Sequence, residues 1–172
     1  VLQFDKPTDG LVNELDKRQL TSHSQLLHFL YAGNATLTVK SLRTGTRFTY
    51  RIKEAPGFPG KDPGPVGWFV AVLTGPDNTA DYTYLGHIFR ESRDYVHGKK
   101  SKIGIGADSA IAFEWFYGSI VLAGALRPTV LQVWHEGRCG RCNRKLTVPE
   151  SIESGFGADC AEIMGIQWGK AA

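Results

Sequence analysis

From Thr21 onward apolar residues recur at helical spacing. Leu26, Leu27, Leu30 and Tyr31 fall on one side of a segment that Ser22 or Ser24 can cap and Gly33 can end. His23 and His28 read as partly exposed residues of this helix. The period then changes to two. Ala35, Leu37 and Val39 alternate with Thr36, Thr38 and Lys40; beyond a turn at Thr44-Gly45, Phe48, Tyr50 and Ile52 alternate with Arg47, Thr49, Arg51 and Lys53. Such a pattern predicts a hairpin with one face in the core and a wet face of threonines and cations.

Residues 54–67 are rich in proline and glycine and read as a loop. Trp68 to Leu73 is apolar on both faces, which predicts a central strand. Gly75-Pro76-Asp77-Asn78 is a turn, Tyr82 to Arg90 alternates as a further strand with His87 on one side, and the basic stretch 90–102 reads as a loop. Asp108 or Ser109 is the expected cap of a second helix whose stripe is Ile111, Phe113, Phe116, Tyr117, Ile120 and Val121, closed by Gly124. Val130 to Trp134 predicts a short strand. The expected fold class is α+β: an antiparallel β-meander of about four to five strands with two packed helices and a C-terminal zinc knuckle. Its parts are an irregular lead-in over 1–20, a body over 21–134, the knuckle over 135–164 and a tail over 165–172.

Length and composition agree with one globular domain: 172 residues, 42% hydrophobic and 11% aromatic. No apolar run approaches the roughly 20 residues that cross a bilayer, and the first residues carry no apolar signal segment, so the cytoplasm of a bacterial host is the expected compartment. The net charge of +3 is mild. Its distribution is less so, with cations and no acid over 40–53 and again over 138–145.

All three cysteines lie in the last quarter, at Cys139, Cys142 and Cys160. An odd count argues against a disulfide framework, and a Cys-x-x-Cys turn with a later cysteine suits tetrahedral zinc. His135, at the end of a strand, is the expected fourth ligand of one structural Cys3His site; Asp159 or a water is the alternative. A closed site of this kind folds a segment too small and hydrophilic to hold itself together.

The run Cys139-Gly140-Arg141-Cys142-Asn143-Arg144-Lys145-Leu146-Thr147, with Pro149, Ser151, Gly155-Phe156-Gly157 and Cys160, resembles a zinc-binding family of unknown function found in bacteriophage, prophage and plasmid proteins. Asn143 stands where that pattern has glycine and Ala158 where it has proline. The resemblance implies zinc and a phage context, and no established activity.

Two functions compete. Arg138, Arg141, Arg144 and Lys145 around the thiolate turn suit phosphate contact with DNA or RNA, with Arg47, Arg51, Lys53 and with Lys99, Lys100, Lys102 extending the footprint. Nearby cations also serve to neutralise thiolates. Alternatively the protein is a phage inhibitor docking on a host protein or defence complex through Trp134, Phe156 or Trp168. Catalysis is not expected. Gly98-Lys99-Lys100-Ser101 has Arg93 where a phosphate-binding loop needs glycine, Gly104-Ile105-Gly106 lacks the third glycine of a dinucleotide motif, and the deaminase spacing is missing.

Overall fold

The computed structural model describes residues 17–57 and 65–167. Residues 1–16 of the lead-in, 58–64 of the 54–67 loop and 168–172 of the tail, with Trp168, lie outside the described residues. The chain runs α1 (His23–Leu30), β1 (Asn34–Ser41), β2 (Arg47–Ala55), β3 (Gly67–Leu73), β4 (Tyr82–Phe89), β5 (Tyr95–His97), α2 (Asp108–Phe116), β6 (Leu131–His135), α3 (Pro149–Ser154) and α4 (Ala158–Ile163). Among the described residues the strands form one six-stranded sheet in the order β5-β4-β3-β2-β1-β6, and every adjacent pair is antiparallel. The meander therefore holds from β1 to β5, and β6 returns to close the other edge.

Local chemistry explains most of the elements. The Ser22 hydroxyl accepts the Gln25 amide at 3.1 Å and so caps α1, whose Leu26, Phe29 and Leu30 are buried. In the hairpin Ala35 pairs with Ile52, Leu37 with Tyr50 and Val39 with Phe48, so the inward residues of both arms share one face. Both long helices pack there: Tyr31 meets Trp68 at 4.8 Å between ring centroids, and Tyr50 meets Phe113 at 4.9 Å and donates its hydroxyl to the Ser109 carbonyl at 2.8 Å. Beyond Phe116 the helix widens into a π-turn over Tyr117–Leu122, keeping Tyr117, Ile120 and Val121 buried before it stops near Gly124.

Trp68 to Leu73 is the expected central strand, with one face in the core: Trp68, Val70 and Val72 are buried, whereas Phe69 is 46% exposed. Several other expectations are corrected. The hairpin's outer face is less wet than expected, since Thr36 and Thr38 are buried. Thr38 shares a hydroxyl hydrogen bond with Thr49 at 2.7 Å and donates to the Glu136 carboxylate, and short side chains between longer neighbours lose their solvent. Part of the 90–102 stretch is β5, held because the Tyr95 ring enters the core at 4.8 Å from Phe113. Neither Asp108 nor Ser109 caps α2. The cap position is Ala107, without a side-chain bond, and Asp108 sits in the first turn, where its charge favours the helix N-terminus. Ile111 is 53% exposed because it lies about 200° around the helix from Phe113.

Phe113 contacts Tyr50, Tyr95, Phe116 and Tyr117 and is fully buried. Phe113→Ala should therefore cost about 3–5 kcal/mol, read from the shift in the urea unfolding midpoint.

Candidate metal centre and its surroundings

The cysteine segment begins where β6 ends. Gly137, with φ +79°, turns the chain, Arg138 and Lys145 form an isolated bridge, and the Cys139 amide donates to the Arg144 carbonyl at 2.9 Å. Asn143 takes φ +64°, a left-handed conformation that asparagine tolerates better than most side chains, and its amide closes the turn on the Cys139 carbonyl at 2.9 Å. α3 ends at Gly155 with φ +79°, and α4 then brings Cys160 back. Ala158, where the resemblance has proline, is the first residue of α4, a position that suits proline.

The Sγ atoms of Cys139, Cys142 and Cys160 all lie within 4.8 Å of one another. Tetrahedral zinc with bonds of about 2.3 Å needs sulfurs roughly 3.8 Å apart, so the cluster fits a metal ion with small adjustments. Burial pushes the Cys139 thiol up, but amide donors from Cys142, Gly157 and Arg141 outweigh it and hold the group below its ordinary value. Cys160 moves the other way. Burial raises it, and the Cys139 and Cys142 sulfurs add to this against the Arg141 guanidinium, whose Nη1 lies 3.7 Å from Sγ. An amide-cradled thiolate beside further sulfurs is a donor set for a soft or borderline cation.

The fourth expected ligand is corrected. His135 is fully buried and both ring nitrogens are engaged: Nδ1 accepts the Gly137 amide at 3.0 Å and Nε2 donates to the Ile152 carbonyl at 2.6 Å. Its ring also lies 5.5 Å from that of Phe29. The imidazole thus ties the end of β6 to α3. Asp159 is exposed, and among the described residues the metal-competent cluster holds only the cysteines.

The segment docks on α1 and the start of β1. Phe156 lies 5.8 Å from Phe29, the Asn34 amide donates to the Gly140 carbonyl at 2.7 Å, and the Asn34 side chain donates to the Arg141 carbonyl at 2.7 Å. Phe156 is buried and is not an exposed anchor; Trp134 is half-buried on the outer face of the sheet.

The expected binding cations separate into groups. Arg138, Arg141, Arg144 and Lys145 are all exposed on the thiolate turn, with Arg141 also on Cys160 and Arg138 on the Asn143 carbonyl at 3.2 Å. Arg51, Lys99 and Lys100 meet in one open trough of about 630 Å³, joined there by Lys53. Arg47 lies apart, paired across the hairpin with Lys40. Tyr82 connects the trough to the turn: burial holds its phenol up at about 12, while Arg51 and Arg138 pull it down and Glu136 pushes it up. The sequence reading missed Phe69, Tyr82 and Tyr84 in that trough, since uniformly apolar β3 has no alternation to reveal its open side.

The profile of a family of unknown function (DUF6011) matches residues 132–165. No curated relative and no solved structure matches the chain. No helix among the described residues is long and apolar enough to cross a membrane.

Burial sets a pH window for the structure. It lowers His135 from the ordinary 6.5 to about 4, against the Ile152 hydrogen bond and with a small push from Arg18. Between these values the unfolded chain takes up a proton that the folded chain refuses. Stability is therefore full above about pH 6.5 and declines toward pH 4, by about 3 kcal/mol from this group. Urea titrations at both ends of the window should show this loss in the wild type and a smaller one in His135→Gln; equal losses would show that another group titrates.

Proposed function

We propose that the protein is a non-enzymatic phage or prophage accessory protein that binds nucleic acid or a nucleoprotein complex, with its C-terminal segment set by one structural zinc ion. The observation that supports this reading is the convergence of three cysteine sulfurs under a turn whose exposed side chains are Arg138, Arg141, Arg144 and Lys145. Cys139, Cys142 and Cys160 would hold the ion, and a water or a group from the partner would take the remaining position. When bound, zinc supplies cross-links between the turn and α4 that the segment's small apolar content does not provide.

The phage context rests on the sequence resemblance. The nucleic-acid reading rests on how charge is sorted within the segment. Its cations occupy the turn, while Glu150, Glu153, Asp159 and Glu162 lie on α3 and α4. A phosphate chain approaching the turn meets guanidinium and ammonium groups first.

Purified protein should carry about one zinc per chain by elemental analysis, and Cys142→Ser should release it and expose residues 137–164 to proteolysis. Arg144→Glu/Lys145→Glu should weaken binding to all nucleic-acid sequences alike and flatten its salt dependence by about one unit per lost phosphate contact. Unchanged affinity in a folded variant would remove the turn from the interface.

A further inference from the structure

The sheet has a second face. β3 and β4 pair with a bulge between Val70 and Ala71: Val70 pairs with Gly86 and Ala71 with Tyr84, leaving Leu85 as the extra residue, fully buried. The bulge shifts the alternation of β4 by one. Tyr82 and Tyr84 before it, and His87 and Phe89 after it, consequently stand opposite Leu73, Ala71, Phe69 and Gly67, on the side away from both long helices. Without the bulge, one of these pairs would point into the core.

The result is an aromatic row. Phe69 lies 6.0 Å from Tyr84 and 5.3 Å from His87 between ring centroids, and His87 lies 4.8 Å from Phe89. Phe69 sits on an interior strand with neighbours on both sides, yet is 46% exposed. Cations flank the row. Arg51 and Lys53 pair with Ala71 and Phe69 from β2, and Lys99 and Lys100 follow β5. The trough these residues share has four cations and no acid in its lining.

The cations are placed by the fold. The Ser101 hydroxyl donates to the Tyr84 carbonyl at 2.6 Å and the Gly98 amide to the Leu85 carbonyl at 2.9 Å, pinning the Lys99-Lys100 turn beside Tyr84. The Arg51 guanidinium lies 3.9 Å from the centroid of the Tyr82 ring and donates to the Thr79 carbonyl at 3.0 Å.

We propose that this face is a platform for single-stranded nucleic acid, with bases stacked on Phe69 and Tyr84 and phosphates held by Arg51, Lys53, Lys99 and Lys100. The proposal rests on the nucleic-acid reading above and names the site and the strandedness of the ligand. Charge complementarity selects a polyanion. The open ring selects one with unpaired bases, because duplex bases already stack on each other and their faces do not reach a side chain on a sheet.

Fluorescence anisotropy with labelled oligo(dT), oligo(rU) and a duplex of equal length tests it, with polyglutamate as a competitor. The wild type should bind one or both single strands at least about tenfold more tightly than the duplex. Phe69→Ala should lose about tenfold in affinity, as should Phe69→Leu, which keeps the apolar contacts but removes the π face; both should unfold near the wild-type temperature. Lys99→Glu/Lys100→Glu should lose affinity and salt dependence together. A bromouracil-substituted strand should cross-link to the peptides carrying Phe69 and Tyr84.

Unchanged affinity in both Phe69 variants, cross-links confined to residues 138–145, or equally tight polyglutamate binding would overturn the platform. Equal affinity for duplex and single strands, lost only in Arg144→Glu/Lys145→Glu, would overturn it while leaving the turn as the nucleic-acid site. A wild type that binds none of the probes would overturn both readings.

Discussion

The Phe29 ring, on the inward side of α1, leaves room for nothing larger than backbone at two points of the cysteine segment. A Cβ on Gly140 would stand 2.8 Å from that ring, and one on Gly155 would stand 2.9 Å from it. Phe29 is fully buried and already in contact with His135 and Phe156, so it has nowhere to go. Through this contact the turn bearing Cys139 and Cys142 and the C-terminus of α3, just ahead of Cys160, are both referenced to α1. The His135 imidazole does the same from the sheet, reaching Gly137 on one side and Ile152 on the other. The sulfurs are thereby brought close by protein packing, and a metal ion would add cross-links to an arrangement the fold already favours.

That arrangement also decides which charges are available. Arg141 faces Cys160, so part of its charge answers the thiolates rather than a ligand. The turn therefore offers less free positive charge than its composition suggests. The trough over β2, β3 and β4 lies opposite the helices and has no thiolate in its lining, and its Lys53, Lys99 and Lys100 are exposed. The Arg138 charge is felt at Tyr82, which lines the trough.

Where sequence reasoning succeeded, a local rule decided the outcome. Ser22 with Leu26 and Leu30, the alternation through β1 and β2, and the Cys-x-x-Cys turn of Cys139 and Cys142 are each a short-range pattern. Failures arose where the answer depended on distant neighbours. His135 is near Cys139 along the chain, but its nitrogens were claimed by a backbone amide two residues on and a carbonyl from α3. β5 is three residues long and exists because Tyr95 finds Phe113, which no local alternation announces. β3 is the central strand its apolar run predicts, but the run leaves open which face is exposed: with Trp68, Phe69, Val70, Ala71 and Val72 all apolar, only the packing of helices on one side separates the faces.

That last ambiguity bears on what Phe69 is for. A half-exposed phenyl ring on an interior strand forgoes part of the stabilisation that burial gives an aromatic side chain. Its contacts with Tyr84 and His87 return some of this, since aromatic cross-strand pairs contribute about 0.5–1.5 kcal/mol. Such pairing accounts for an aromatic at one position. It does not account for a bulge that turns Tyr82, Tyr84, His87 and Phe89 to the same side, nor for a lysine turn hydrogen-bonded onto the strand beside them. Sheet stability alone is served as well by threonine or valine on a solvent face. A shared orientation of rings and cations, held by backbone hydrogen bonds, instead fits a surface shaped for a flat, charged partner.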